Sequence, residues 1–368
     1  MNLFALTRRL IDIPSPSGDE WEAARFIASY LESLNYRVEL QEAAPRRANV
    51  IATASDAPRL FFSTHIDTVP PHIASSEDET HIYGRGSCDA KGIIAAQIFA
   101  AEALRAGGTN DIGLLFTVDE ELGSLGARVA NAHALAASCA YLINGEPTEN
   151  KLAAGSKGSL RLRLKARGRA AHSAYPEHGD SAVERLLDVL ADLRRLAWPA
   201  DDFFGQTTCN IGTLGGGTRP NIIPAEAQAE LQIRLVTESA RVKAELERAV
   251  GNRVEIEYLS VAEPVRLLAV EGFASEVVRF TTDIPYLPNW GAPLLLGPGS
   301  ILDAHTDGER ISKDELVEAV KLYARLAAEL LARDPARAGA GSVSERAVKP
   351  AVESAMLTNP ATERASPK

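Results

Sequence analysis

Residues 1–150 alternate between helical and strand patterns of apolar and polar positions. Apolar side chains at helical spacing predict helices over 1–12, over 21–34, after Asp89 and over 124–133. Short apolar runs predict strands at 37–40, 49–53, 59–65, 112–118 and 140–144. Because strands alternate with helices, we predict a largely parallel sheet covered by helices on both faces. Ser17 and Glu20 have the spacing of a capping box ahead of the second helix.

The pattern changes near residue 151. The strand predicted at 159–165 alternates strictly, with leucines on one face and Arg161, Arg163 and Lys165 on the other. A helix at 180–197, strands at 206–214 and 227–236, a helix at 238–250 and a strand at 254–258 follow. This β-α-β-β-α-β order predicts an inserted ferredoxin-like α+β domain over 151–263. The three basic residues favour a solvated sheet face, with contact to an acidic carrier protein as the alternative.

From residue 264 the chain is expected to return to the first domain. The pattern predicts a helix near 270–281, a strand at 294–296 and a last helix at 313–332. The fold class is therefore α/β, with a discontinuous first domain over 1–150 and 264–333. Residues 334–368 contain few large apolar side chains, and we expect them to form a disordered tail.

Composition narrows the classes of function. The 368 residues carry a formal net charge of −10, which argues against nucleic acid or an anionic membrane as a partner. No apolar run approaches the length of a transmembrane helix, and the charged N-terminus does not resemble a signal peptide. The three cysteines are widely spaced and include no C-x-x-C pair. These features predict a soluble protein of the reducing cytoplasm.

Polar side chains with metal-ligand chemistry follow several predicted strands. His65 and Asp67 end one strand, Glu120 and Glu121 follow the next, and Glu146 follows a third. The carboxyl ends of parallel strands meet at one edge of a sheet, where ligands bind in open α/β folds. Taken singly, each of these residues is more often structural or part of a solvated acidic turn. Their convergence favours a site that contains cations, because crowded carboxylates repel one another.

Two further residues belong to this pattern. Asp89 lies in a glycine-rich stretch, Y-G-R-G-S-C-D-A-K-G, at the start of a predicted helix, where a helix cap is its simplest role. His305 lies in the glycine-rich loop after the strand at 294–296. Two histidines and several carboxylates around Asp89 exceed the ligands of one tetrahedral zinc. They suit two zinc ions that share a carboxylate and activate a water between them.

The same segments resemble the signature blocks of the M20 family of metallopeptidases and deacylases. The blocks are H-I-D-T-V-P (65–70), G-R-G-S-C-D-A-K-G (84–92), D-E-E (119–121), G-E-P-T (145–148) and G-P-G-S-I-x-x-A-H-T (297–306). They occur in family order and cover about residues 1–333 together with the inserted domain. The resemblance implies a zinc hydrolase in which the inserted domain is a dimerisation or lid domain.

The resemblance also implies a role for each site residue. The two zinc ions of each subunit, for which Co²⁺ would substitute, would have these ligands: His65, Asp89 and Glu146 for one, and Asp89, Glu121 and His305 for the other. Glu120 would be the general base, and Asp67 would support His65. The block A-A-H-S-A-Y-P implies that His172 reaches the active site of the partner subunit in a homodimer. Asn221 and Arg234 match positions that bind the substrate carboxylate or backbone.

The resemblance leaves several classes of substrate open. A small N-acyl amino acid, with N-acetylornithine first, is the leading expectation. The alternatives are an aminoacyl dipeptide or tripeptide, a carboxypeptidase substrate, succinyl-diaminopimelate, a carrier-linked lysine or ornithine, and a catalytically silent homologue that only binds its ligand. The stretch P-Y-L-P-N-W-G-A-P before the last block lacks the family's T-D-A, which suggests a different substrate pocket. Nucleotide-binding and serine-hydrolase motifs are absent from the sequence.

Overall fold

The structure is a computed structural model, and it describes residues 1–333 of the chain. The tail expected at 334–368 lies outside the described residues. The described α-helices are α1 (Leu3–Ile11), α2 (Trp21–Ser33), α3 (Lys91–Ala106), α4 (Leu125–Ala130), α5 (Ala182–Arg195), α6 (Ser239–Val250) and α7 (Lys313–Ala332). Short 3-10 turns cover Ala134–Ser138, Pro176–His178 and Ile284–Tyr286.

The described strands follow in chain order. They are β1 (Arg37–Ala44), β2 (Arg47–Thr53), β3 (Leu60–His65), β4 (Ser76–Glu77), β5 (His81–Tyr83), β6 (Ile112–Thr117), β7 (Tyr141–Asn144), β8 (Leu152–Ser156), β9 (Gly158–Arg167), β10 (Ala200–Asp201), β11 (Gly205–Gln206), β12 (Thr208–Gly216), β13 (Glu226–Leu235), β14 (Glu255–Ala262), β15 (Val265–Arg266), β16 (Ser275–Val278), β17 (Ala292–Leu295) and β18 (Arg310–Ser312). The chain divides into two compact units. The first contains residues 1–154, 267–276 and 282–333, and the second contains 155–266 and 277–281.

The first unit is built on a six-stranded sheet in the order β1-β2-β6-β3-β7-β17. The last four strands in this order run parallel, whereas β1 and β2 pair antiparallel, so the prediction of a largely parallel sheet is confirmed. Consecutive residues of one strand enter different cores: Phe62 packs in the cluster that contains α3, and Phe61 packs in the cluster that contains Trp290. Both faces of the sheet are therefore covered.

Helix α3 forms the centre of the larger core. It packs against α1, α7 and β3, and its sequence of small and apolar residues is buried along nearly its whole length. Five of its fourteen buried residues are alanines, whose small side chains allow a sheet and two helices to approach it closely. Because α3 begins at Lys91, two residues after Asp89, this core fixes the position of the glycine-rich stretch.

The second unit contains a four-stranded antiparallel sheet in the order β12-β13-β9-β14. Helices α5 and α6 connect its strands in the β-α-β-β-α-β order, which confirms the ferredoxin-like motif. The alternation in β9 is also confirmed. Its leucines at 160, 162 and 164 join the core that contains α5 and α6 residues, and its basic residues lie on the other face.

Two local predictions are wrong. Residues 270–281 do not form a helix: Gly272 has φ +85°, which ends helical geometry, and Ser275–Val278 forms β16. The β-branched Val277 and Val278 favour this extended conformation. The capping box is also absent, because Glu20 makes no side-chain cap for α2. Ser17 instead donates to the Asp67 carboxylate at 2.7 Å.

Candidate metal centre

The parallel strands of the first unit bring the predicted ligands to one edge of the sheet. In the β3–β6 register His65 pairs with Thr117, two residues before Asp119, and in the β3–β7 register Ser63 pairs with Asn144. Glu146 follows Asn144 by two residues. Loops at neighbouring strand ends therefore carry residues that are separated by dozens of positions in the sequence.

Asp89 lies between the two histidines. Its Oδ1 is 2.9 Å from His65 Nε2, and its Oδ2 is 3.3 Å from His305 Nε2. The helix-cap interpretation of Asp89 is wrong, because Ala90 holds the N-cap position of α3 and no side chain caps that end. One carboxylate thus presents a different oxygen to each imidazole, which is the arrangement that a bridging ligand requires.

Each histidine also has a second carboxylate nearby. Glu146 Oε2 lies 4.0 Å from His65 Nε2, and Glu121 Oε1 lies 3.0 Å from His305 Nε2. Ligand atoms of His65, Asp89 and Glu121 lie within 4.8 Å of one another, so these three residues could hold a metal ion. His305 is 48% exposed, which leaves the His305 side of the cluster open to solvent.

Asp67 holds together the residues around it. The backbone carbonyl of Asp67 lies 2.9 Å from His65 Nδ1, which directs His65 Nε2 towards Asp89. Its carboxylate accepts the N–H groups of Glu120 and Glu121 at 3.1 and 3.2 Å. Asp67 is therefore placed to orient both the first histidine and the acidic loop that follows β6.

The acidic loop has a second anchor at Asp119, which has a left-handed φ of 71°. Its carboxylate binds Arg47 at 2.6 Å and accepts the N–H of Leu125 at 3.3 Å. Arg47 also pairs with the fully buried Glu20 side chain at 2.5 Å. An aspartate tolerates the left-handed region better than most residues, and these bonds hold it there.

The electrostatics of the site show an excess of buried negative charge. Burial, reinforced by the carboxylates nearby, raises the pKa of Glu146 and of Glu120 well above the usual range. Burial lowers the pKa of His65, but hydrogen bonds to Asp67 and Asp89 outweigh it and raise that pKa well above 6.5. Hydrogen bonds to Asp89 and Glu121 raise the pKa of His305 to about 10.

A divalent cation fits this donor set. Glu146 Oε1 is buried and has no hydrogen-bond partner among the described residues, although burial of an unpaired carboxylate oxygen is costly. The imidazole nitrogens and carboxylate oxygens are ligands that zinc and related metals prefer. A bound cation would take the place of the proton that the raised pKa of Glu146 retains, and it would satisfy the unpaired oxygen.

Sequence reasoning missed two acidic residues near the cluster. Glu309 is fully buried and accepts backbone N–H groups around Asp89. Asp283 is buried, accepts the Thr117 hydroxyl at 2.6 Å, and has a pKa raised by burial to about 6. Asp283 belongs to T-T-D-I-P at 281–285, which overlaps the start of P-Y-L-P-N-W-G-A-P and contains the T-D pair of the family's T-D-A.

Three predicted residues belong to the second unit. His172 and Ile222 form a β-bridge, and the N–H of Ser173 donates to Asn221 O at 3.0 Å, so His172 and Asn221 lie side by side on exposed loops. Arg234 lies near the far end of the ten-residue β13, where its Nη1 is 3.3 Å from Thr281 Oγ1. The structure therefore brings two of the three together within this unit and places Arg234 apart from them.

The basic face of β9 is paired with acids on neighbouring strands. Arg161 and Arg163 both contact Glu230, at 2.8 and 2.7 Å, and Lys165 contacts Glu257 at 2.9 Å. The alternating charges therefore compensate one another in the sheet. This arrangement favours the solvated face over a docking surface for an acidic carrier.

Comparison with known proteins identifies relatives along most of the chain. The model of peptidase family M20/M25/M40 matches residues 61–329. A peptidase M20 domain-containing protein of Schizosaccharomyces pombe is 38% identical over 336 residues, which cover 88% of this chain and 84% of the relative. A probable carboxypeptidase of Aspergillus niger is 38% identical over 363 residues, with 87% of each chain covered.

Solved structures share the fold at low sequence identity. An M20 family metallo-carboxypeptidase from Sulfolobus solfataricus has a TM-score of 0.73 at 17% identity, over 88% of this chain and 97% of that one. The YXEP protein of Bacillus subtilis, described as a dinuclear metal binding peptidase, has a TM-score of 0.69 at 17% identity, over 90% and 98%. The family match and the relatives at 38% identity show that this chain belongs to peptidase family M20/M25/M40 and is a metal-dependent hydrolase of amide bonds.

Proposed function

We propose that this protein is a two-metal carboxypeptidase that releases the C-terminal amino acid of a short peptide. The observation that carries the proposal is the placement of Asp89 between His65 and His305, with one carboxylate oxygen near each imidazole. Glu146 accompanies the first histidine and Glu121 accompanies the second. This geometry supports our assignment of two ligand sets that share Asp89.

The two sets suit a pair of zinc ions, for which Co²⁺ would substitute. When bound, such metals polarise the substrate carbonyl and lower the pKa of a water between them. Glu120 lies next to Glu121 on the loop held by Asp67, and its carboxylate belongs to neither ligand set. We assign to Glu120 the removal of a proton from the attacking water and its delivery to the leaving amine.

Burial raises the pKa of Glu120, which suits a group that must hold a proton between these two steps. Asp67 would act through His65 and through the acidic loop, and would not touch the substrate. Its own pKa is raised by burial, but hydrogen bonds from His65, Ser17 and the Glu121 N–H bring it below its ordinary value. The lowered pKa favours the ionised form of Asp67, which accepts hydrogen bonds from these donors.

The substrate class rests on the relatives and on the second unit. Relatives at 38% identity are named as probable carboxypeptidases, which favours peptides with a free C-terminal carboxylate. We propose that Asn221 binds that carboxylate and that Arg234, which lies apart from Asn221, binds the carboxylate or the adjoining backbone from a different position. An N-acyl amino acid has the same amide bond and the same carboxylate, so it is the second candidate. The relatives give no support to N-acetylornithine in particular.

A homodimer would complete the proposed site. His172 is exposed, and its Nδ1 accepts the N–H of Ala174 at 3.1 Å, so its Nε2 carries a proton that can be donated to an oxyanion. We propose that His172 serves the active site of the partner subunit and that the second unit is the dimerisation domain. The three unpaired cysteines are compatible with a cytoplasmic location.

A substrate panel tests the proposal. Metal-loaded protein and the Glu120→Ala variant should be assayed side by side on dipeptides, N-acyl amino acids including N-acetylornithine, and the same compounds with the carboxylate amidated. We expect the unmodified protein to cleave free-carboxylate peptides fastest and to lose activity on the amidated forms. Equal, slow cleavage by both proteins would overturn the proposed function, and preference for amidated substrates would overturn the carboxypeptidase assignment.

A further inference from the structure

Glu309 is a buried carboxylate that has no place in the proposed ligand sets. It lies four residues after His305, immediately before β18, and its side chain has no exposed surface. Oε1 accepts three backbone N–H groups from the glycine-rich stretch: Gly86 at 2.9 Å, Cys88 at 3.3 Å and Asp89 at 3.2 Å. Three donors that converge on one oxygen form a nest for an anion.

The other oxygen of Glu309 pairs with Arg85, which is also buried. Arg85 Nη1 donates to Glu309 Oε2 at 2.6 Å and to the carbonyl of Thr306 at 3.1 Å. Arg85 Nε donates to the carbonyl of Pro71 at 3.3 Å. The N–H of Gly84 also donates to the Glu309 carbonyl at 3.0 Å. The Arg85–Glu309 pair therefore fastens the loop of His305 to the loop of Asp89.

A buried ion pair is poor evidence for stability by itself, because both charges lose their hydration. This pair has a specific consequence, however. The 3.3 Å separation between His305 Nε2 and Asp89 Oδ2 depends on two loops that are more than 200 residues apart in the sequence. Glu309 belongs to the loop of His305 and accepts hydrogen bonds from the loop of Asp89. A small displacement of either loop would separate the two ligands of one proposed metal.

We propose that Glu309 is a positioning residue that sets the geometry of the metal held by Asp89, Glu121 and His305. The inference rests on the proposed two-metal function. Glu309 fixes the backbone of Asp89 through its nest, and through Arg85 it fixes Thr306 beside His305. Residues that orient metal ligands in this way commonly change metal affinity by about 10–100-fold when they are replaced.

The chain offers a matched control. Glu102 and Arg105 form another buried Arg–Glu pair in the first unit, at 2.6 Å, with 4% and 8% of their side chains exposed. This pair lies near the C-terminal end of α3, whereas Asp89 precedes its N-terminal end. Glu102→Gln removes a buried charge without touching the cluster, so it separates a general loss of stability from a loss of ligand geometry.

Metal-free protein should be titrated with Co²⁺, and binding should be measured by calorimetry and by the visible absorption of the bound ion. We expect the unmodified protein and Glu102→Gln each to bind two Co²⁺, and the affinity for each ion should be the same in both proteins. Glu309→Gln keeps the side-chain shape but turns an amide towards Arg85 or towards the nest. It should weaken the binding of the Co²⁺ held by Asp89, Glu121 and His305 by about 10–100-fold, and it should weaken the other Co²⁺, which shares Asp89, by less. Arg85→Lys keeps the charge but loses the planar guanidinium with its several N–H donors. It should reduce Co²⁺ affinity in the same direction, but by a smaller factor.

Unchanged affinity for both ions in Glu309→Gln and in Arg85→Lys would overturn the proposal and would leave Glu309 with a structural role. If Glu309→Gln does not fold, the result for Arg85→Lys decides. If the unmodified protein binds a single Co²⁺, the two-metal function fails. In that case the affinity for the single Co²⁺ is compared between the variants and the unmodified protein. A weaker affinity in the variants supports the positioning role of Glu309, and an unchanged affinity overturns it.

Discussion

Glutamates in the two units have opposite electrostatic environments. Glu146 in the first unit is buried, one of its oxygens has no partner among the described residues, and burial raises its pKa well above the usual range. Glu230 in the second unit is partly exposed on the polar face of its sheet, and hydrogen bonds from Arg161 and Arg163 lower its pKa. A glutamate thus has an unpaired carboxylate oxygen in the first unit, whereas a glutamate in the second unit has its charge compensated by two arginines.

This difference in electrostatic environment distinguishes a candidate functional site from a solvated sheet face. Acidic residues that pair with cations in water need nothing further, and such exposed pairs contribute little. Acidic residues that are buried without cationic partners either keep a proton or take up a cation from outside the chain. Both regions carry many charges in the sequence, so charge density alone could not distinguish them.

Among the changes that test this comparison, removal of the cation should have the largest effect on activity and stability. A strong chelator should abolish hydrolysis, and Zn²⁺ or Co²⁺ should restore it. The melting temperature should fall as well, because a ligand present at about 100 times its Kd stabilises the folded state by about 2.7 kcal/mol. Activity and melting temperature should be measured before chelation, after it and after metal is returned. Activity that resists chelation would contradict the metal centre.

Glu120→Gln should have the next largest effect. Loss of a general base lowers kcat by about 10²–10⁴-fold, and the amide keeps the size of the side chain. Metal content should stay at the level of the unmodified protein, since Glu120 belongs to neither proposed ligand set. Steady-state kinetics and metal analysis of the same sample check this prediction. A variant that loses its metal would show that Glu120 is a ligand and not the base.

His172→Ala tests whether the second unit contributes to catalysis. Loss of one oxyanion donor costs about 10²–10³-fold in kcat, and we expect that fall without a change in bound metal. The parallel variant His178→Ala removes an exposed histidine six residues away in the same segment and should leave kcat unchanged. Loss of metal in His172→Ala would place His172 among the ligands, and equal kinetics in both variants would remove its proposed role.

Glu146→Gln should change stability with opposite signs in two states of the protein. Without metal, the variant relieves repulsion among buried carboxylates and should melt at a higher temperature than the unmodified protein. With metal, it loses a ligand and should melt at a lower temperature. Glu230→Gln is the control and should respond identically in both states. A shift of the same sign for Glu146→Gln with and without metal would contradict the cation requirement.

Arg163→Ala should have the smallest effect. Its partners Glu230 and Glu257 are accessible to water, which can hydrate them after the arginine is removed. Activity and metal content should be unchanged, and any shift in melting temperature should disappear at high salt. A large loss of activity would revive the alternative that this strand contacts an acidic partner.

Patterns with a clear period were predictable from the sequence. The buried strand β6, the alternating strand β9 and the helix-forming run of α3 each carry a local signal that tertiary contacts reinforce. The approximate position of the metal cluster was also predictable, because strand ends in an α/β fold fall at one edge. The structure places His65 and Glu146 at this edge of the sheet, with Asp89 beside them at the start of α3, and their role as metal ligands stays a prediction.

Other features depend on contacts that no local pattern encodes. The helix expected at 270–281 fails because Gly272 takes a left-handed φ of 85° and Val278 is buried in a strand. Ser17 has a capping-box partner three residues away, but its hydroxyl binds Asp67, 50 residues later. Glu309 resembles an ordinary loop glutamate in the sequence, and its importance depends on where the backbone of Asp89 lies.

The discontinuity of the first unit has a consequence for biosynthesis. Residues 155–266 lie in the sequence between Glu146 and His305, so the ribosome adds 159 residues after Glu146 to reach and include His305. At about 5–20 residues per second, the ribosome needs roughly 8–32 s for this interval. During that time the nascent chain exposes an acidic half-site whose last imidazole does not yet exist. The order of synthesis therefore delays the complete centre until the inserted unit, which is nearly continuous in sequence, has emerged to fold first.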